Sequence, residues 1–266
     1  MVLCSSVLLS SCSVETPRSC AKQIRKPDFR SIKNTAERKQ AFIDYLLPCI
    51  HQVQSDILKQ RHILENINNR FIKNNGLSAQ DIKILAAWSK EYKVALPTTE
   101  NLQSTIDQLL LRINTIPTSM VLAQAALESG WGSSRFAING NNYFGQHCFT
   151  KGCGIVPLQR SPESIHEVQV FESPKQSVAA YFYLLNTGGK FEMFRKLRAE
   201  LIRKEQALTS QELIKTLMHY STLEEGEYEQ RLLLTITRNN LDQYDGADLA
   251  NISAQESSAT AASFQT

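Results

Sequence analysis

The residue best placed for chemistry is a carboxylate at the end of an otherwise apolar helix. Met120 to Leu127 are apolar on nearly every face except at Gln124, the pattern of a buried helix. Glu128 stands at its end, followed by Ser129-Gly130, where Gly130 suits a left-handed cap. Desolvation disfavours a charged carboxylate there, and the negative end of the helix acts in the same direction. Both raise the pKa, which suits a general acid that must keep its proton near neutrality until a leaving oxygen needs it. From position alone, a solvent-facing glutamate closing an ordinary helix is the plain alternative.

The cysteines are the second candidates. Cys148 and Cys153 flank Phe149-Thr150-Lys151-Gly152, a small loop that a disulfide could close in an oxidising compartment. Free thiols, or a zinc site built from His147, Cys148 and His166, are the rival readings. None of the six cysteines stands in Cys-x-x-Cys spacing, and no metal or cofactor is expected. Cys49 falls in an amphipathic helix and reads as a buried thiol.

The elements that must position these groups are mostly helical. Asn34 with Glu37 resembles a capping box before Ala41, Phe42, Tyr45 and Leu46, and Pro48 should end or kink that helix. A second helical stretch from Val53 stops at Asn74-Asn75-Gly76. Ser78 with Asp81 caps a third, and Thr99 opens a fourth. After the Glu128 helix comes a stretch rich in Gly and Asn. A hairpin then pairs Ile155-Val156 with Val168-Gln169-Val170-Phe171. Ser173-Pro174-Lys175-Gln176 is a strong helix start, and further helices begin near Phe191, Thr209 and Glu227. Residues 245–266 are poor in large apolar side chains and read as a disordered tail.

Composition excludes several classes. With 42% hydrophobic and 21% charged residues the chain is globular. A net charge of +3 gives no argument for nucleic acid, and no apolar run reaches the ~18–20 residues of a membrane span. Residues 1–12 resemble a bacterial lipoprotein signal with Cys12 as the lipidation site, although the usual positive start is missing. Residues 13–33 are basic and read as a solvated linker.

The wording around Glu128 carries a resemblance. Ala125-Ala126-Leu127-Glu128-Ser129-Gly130-Trp131-Gly132-Ser133-Ser134-Arg135-Phe136, followed by Gly140-Asn141-Asn142-Tyr143-Phe144-Gly145, resembles the signature of the peptidoglycan β-N-acetylglucosaminidases of glycoside hydrolase family 73. Gly145-Gln146-His147-Cys148-Phe149 and Lys151 to Pro157 resemble more narrowly the bacterial Bax proteins, as do Arg38-Lys39-Gln40-Ala41-Phe42 and Leu46-Leu47-Pro48. The resemblance spans about residues 36–244. It implies a mostly α (α+β) lysozyme-like domain with a small β-hairpin lobe, over residues 116–244, preceded by a helical region over residues 34–115.

Carried over residue by residue, the resemblance makes Glu128 the catalytic acid. Trp131, Asn142, Tyr143, Phe144 and Gly145 become substrate-binding positions, although Trp131, Tyr143 and Phe144 also read as core. Tyr220 and Tyr228 match a late segment that the resemblance implies supplies a cleft-lining tyrosine, with Tyr220 preferred as the catalytic one because Ser221-Thr222 follow it. A second carboxylate, usual in glycosidases, does not appear on the first hairpin strand. Glu167 on the returning strand is preferred over Glu163 in the turn, and a single-acid mechanism assisted by the substrate's acetamido group is the alternative. The implied activity is hydrolysis of the β-1,4 bond between N-acetylglucosamine and N-acetylmuramic acid. A lytic transglycosylase and a non-catalytic wall-binding module are the other readings. The expected partner is the peptidoglycan glycan strand. The expected setting is a monomer in the periplasm or cell envelope, attached to the outer membrane if Cys12 is lipidated.

Overall fold

A 40-residue helix, α1 (Thr35–Asn74), is the spine on which the other elements are laid. The computed structural model describes residues 25–74, 76–161, 163–217, 220 and 226–246. The lipidation candidate Cys12 and the tail from residue 247 lie outside the described residues. Asn34 opens α1 as expected, its Oδ1 accepting from the backbone N–H groups of Ala36 and Glu37. Pro48, expected to end or kink the helix, does not end it but lies inside it. Proline removes one backbone bond, but Phe42, Tyr45 and Leu46 before it and Cys49, Ile50 and Val53 after it are all buried on one face. That continuous burial outweighs the lost bond.

Two helices follow, α2 (Ala79–Glu91) and α3 (Leu102–Arg112). The first starts in a reciprocal Ser78–Asp81 capping box, as the sequence indicates. Next is α4 (Thr118–Ser129), of which the stretch from Thr118 to Ala126 is wholly buried. Then come α5 (Arg135–Gly140), a small sheet, α6 (Pro174–Thr187), α7 (Glu192–Arg203), α8 (Ser210–Ile214) and α9 (Glu227–Arg238). The fold is mostly helical with a small antiparallel lobe.

The entrance to α4 is pinned from several sides. Gln54 of α1 donates to Ile116 O and Thr118 Oγ1, and Arg61 donates to Leu110 O and Ile113 O. The fully buried Arg198 of α7 reaches the carbonyls of Leu111, Asn114 and Thr115. Pro117 at the N-cap offers no side-chain cap. Asp245 supplies one from the far end of the fold, its carboxylate accepting from Ser119 N at 2.8 Å and Ser119 Oγ at 2.6 Å. Asp245, placed by the sequence in a loose tail, is thus part of the packed structure.

The sheet has three strands where the sequence indicated two. β3 (Glu167–Gln169) lies between β1 (His147–Cys148) and β2 (Gly154–Ile155), antiparallel to both. Gly154 must be glycine, because a Cβ there would lie 2.1 Å from Val168 O.

Residues 25–33 also depart from the solvated linker expected of them. Lys26 Nζ donates to Ile138 O at 2.8 Å and Asn141 Oδ1 at 2.9 Å, and also to Ala137 O, so it closes the C-terminal end of α5. Desolvation lowers its pKa to about 8. Phe29 is fully buried against Phe42 and Tyr45 of α1. Residues from before α1 to α9 therefore share one hydrophobic core.

Candidate active site

Glu128 ends α4 where the chain turns away through Gly130 (φ +57°), Trp131 (φ +56°) and Gly132 (φ +77°). Ser129 Oγ stitches this turn by donating to Ala125 O and accepting from Gly132 N. The Glu128 side chain is open to solvent at its surface yet surrounded by protein. Desolvation raises its carboxyl pKa, and the weaker pull in the other direction is a hydrogen bond from Tyr228. That hydroxyl donates to Glu128 Oε1 at 2.9 Å. The other oxygen, Oε2, lies beside Gly145, whose hypothetical Cβ would sit 3.5 Å from it. Gly145 adopts φ +67° and is exposed, so its backbone favours glycine.

Behind the acid is a polar file inside the apolar core. Gln124, one turn before Glu128 on α4 and fully buried, donates through Nε2 to the Tyr228 oxygen at 3.0 Å. Its Oε1 accepts from the hydroxyl of the fully buried Tyr181 on α6. Burial holds the phenols of Tyr181, Tyr220 and Tyr228 well above their ordinary pKa, so all three remain protonated donors.

The two tyrosines of the late segment have different jobs. Tyr220, preferred from the sequence, donates to Phe144 O at 3.3 Å and stacks on Tyr228, rings 5.5 Å apart and 12° from parallel. Tyr228 is the one whose hydroxyl meets the acid. Residue order alone does not tell them apart: Tyr228 lies on α9, which packs against α4, whereas Tyr220 precedes that helix and meets the Phe144 carbonyl.

The motif at residues 142–145 forms a platform of which only Gly145 reaches the acid. Asn142 is buried and uses its whole amide on backbone. Nδ2 donates to Gln146 O and Gln169 O at 2.9 Å each, and Oδ1 accepts from Phe144 N and Gln146 N. No capacity remains for an acetamido group, so the substrate-binding role expected for Asn142 gives way to a structural one. Tyr143 is fully buried against Phe42 and Tyr45, and Phe144 is buried and stacked on Tyr181 at 4.3 Å. Trp131 packs edge-on against Phe42 at 5.7 Å with Lys39 Nζ over its ring at 5.0 Å. These three aromatics build the floor and the helix end.

Glu167 does not fit the role of a second acid–base carboxylate. Its Oε1 accepts from Gly152 N at 3.0 Å and its Oε2 from Gly154 N at 2.8 Å, and these bonds hold its pKa below the ordinary range. The group is buried and ties down the loop that the Cys148–Cys153 disulfide closes, with Cα atoms 6.2 Å apart. Cys148, Cys153 and Glu167 are the only cluster of metal-ligand types among the described residues, but the two sulfurs are bonded to each other. His147 and His166 lie ring to ring at 4.6 Å across β1 and β3. Glu163 is exposed. Cys49, read as a thiol, is buried and disulfide-bonded. A pocket between α1 and α6, lined by residues such as Gln60, Tyr92, Lys175 and Tyr183, contains none of the site residues.

A mostly helical fold, with a glutamate whose carboxyl pKa is raised by burial at a solvent-open helix end, fits the glycoside hydrolase class. Residues 104–241 match the glucosaminidase family model, described as mannosyl-glycoprotein endo-β-N-acetylglucosaminidase. The chain is 32% identical over 228 residues to protein Bax of Escherichia coli K12, covering 85% of this chain and 78% of that one. It belongs to the glucosaminidase family. The catalytic domain of the autolysin Auto from Listeria monocytogenes is also similar, at 21% identity and a TM-score of 0.38 over 67% of this chain and 96% of that one.

Proposed function

We propose that this protein is a peptidoglycan hydrolase that cleaves the β-1,4 bond between N-acetylglucosamine and N-acetylmuramic acid, with Glu128 as general acid. The observation that carries the reading is the asymmetry of Glu128. One oxygen is engaged by Tyr228 and the other faces the exposed Gly145 edge, while burial favours the protonated carboxyl. Family membership supports the N-acetylglucosamine side of the bond, and the signature around Glu128 supports a wall glycan. With Glu167 spent on backbone, the substrate's acetamido oxygen is the nucleophile in this reading. It bonds to the anomeric carbon as the glycosidic oxygen departs with the Glu128 proton. Water then adds to that carbon and releases the acetamido oxygen, and its spare proton returns to Glu128. One water is consumed and two hydroxyl ends are made.

The test is digestion of purified sacculi by wild type and by Glu128→Gln, with products read by mass spectrometry. Reducing-end N-acetylglucosamine from wild type and no soluble product from the variant is the expected result. Anhydro-muramic products would make the enzyme a lytic transglycosylase, and binding without product would make it a wall-binding module. Undiminished clearing by Glu128→Gln would remove Glu128 from the mechanism. The site of action belongs, in the same proposal, to the cell envelope, reached through lipidation of Cys12. Fatty-acid label that persists in Cys12→Ala would sink that part.

A further inference from the structure

The file of polar groups behind the acid has a direction, and the direction is set by which groups can donate. The Tyr181 hydroxyl gives its proton to Gln124 Oε1, which can only accept. Gln124 Nε2 can only donate, and it points at the Tyr228 oxygen. The proton of Tyr228 is left for Glu128 Oε1. With Glu128 ionised, the opposite sense would turn Tyr228's proton toward Gln124 and its lone pairs toward a carboxylate, which is repulsive. The charged site therefore selects the forward sense. Gln124 and Tyr181 are fully buried, where a misdirected polar group has no water to satisfy it.

We propose that Gln124 and Tyr181 are positioning residues that, acting through Tyr228, place the acid proton of Glu128 on Oε2, the oxygen beside Gly145. When Glu128 takes up its proton, Oε1 already receives one from Tyr228, so the new proton sits on the oxygen that faces the exposed edge. Without the relay, Tyr228 can rotate and accept a proton from Oε1 instead. That added arrangement stabilises the protonated acid and also points its proton away from a substrate. The relay thus has two effects of distinguishable sign, on the acid's titration and on its productive fraction. Stacking by Tyr220 holds the Tyr228 ring, but a stacked ring does not choose where its hydroxyl proton points.

This proposal rests on Glu128 being the general acid, and the experiment separates the two. Gln124→Met keeps the length of the side chain and removes both polar contacts. Its kcat at the pH plateau should fall about tenfold with KM nearly unchanged, while the alkaline limb of the profile moves to higher pH. Tyr181→Phe should show both effects more weakly. Gln124→Met combined with Tyr228→Phe should match Tyr228→Phe alone, because the relay acts only through that hydroxyl. A lower kcat with an unmoved or downward-shifted alkaline limb would reduce Gln124 to packing, and multiplicative losses in the double variant would do the same. If Gln124→Met does not fold, Tyr181→Phe, which deletes one oxygen bonded to Gln124 and not to the acid, decides by the same criteria. Should Glu128→Gln remain active, the general-acid reading fails by itself. The relay is then judged by isotope-edited infrared titration of the Glu128 carboxyl, whose pKa must rise in Gln124→Met.

Discussion

At the scale of single residues, the acid's burial has a thermodynamic cost with a defined sign. Glu128 titrates in the fold above its ordinary value of 4.5, chiefly by desolvation. A carboxyl raised on folding binds its proton more tightly in the native chain, so stability falls as pH rises from the unfolded value through the raised one. Below that window the group is neutral in both states and contributes nothing. Glu128→Gln carries no charge at any pH, so its melting temperature should exceed that of wild type near neutrality, and the gap should close toward pH 4. Thermal melts across that range check the prediction. An equal or lower melting temperature at pH 7 would mean that the charged form is not penalised. The variant expected to lose all activity is thus expected to gain stability.

At the scale of elements, what the sequence reveals is local. The Ser78–Asp81 box, the Ser173-Pro174 start and the left-handed Gly130 all appear in the structure, because each depends on a few adjacent residues. Pro48 does not end α1, because the burial that carries the helix past it comes from partners remote in sequence. β1, two residues long, has no periodicity to detect. The site divides in the same way. Glu128 and Gly145 were legible as candidates, whereas Asn142 and Glu167 have the right chemistry but spend it on backbone that only the folded chain brings near. Gln124 stood out as the polar exception on an apolar helix, but its partners Tyr181 and Tyr228 come from α6 and α9. The start of α4 is another non-local feature, since Asp245 caps it across 126 positions of sequence. Asp245→Ala should lower stability by about 1 kcal/mol, the usual worth of an N-cap with a favourable dipole interaction. Denaturant unfolding measures this, and a change within error would show that the cap is idle.

At the scale of the whole molecule, the helical region before residue 116 and the region after it are one body. Phe42 of α1 touches Phe29 before it and Trp131 and Tyr143 beyond the acid. Gly132 leaves room for the Phe29 ring, which a Cβ would approach to 2.5 Å. Chain synthesis runs from the first residue to the last, and the cap on the helix bearing Glu128 is among the last described residues to be made. A nascent chain that already contains the complete signature, the motif platform and both tyrosines still has an open N-terminus on its catalytic helix. Asp245 thus makes completion of α4 a late event in the life of each molecule, so a product that stops before residue 245 keeps every active-site residue yet leaves that helix start uncapped.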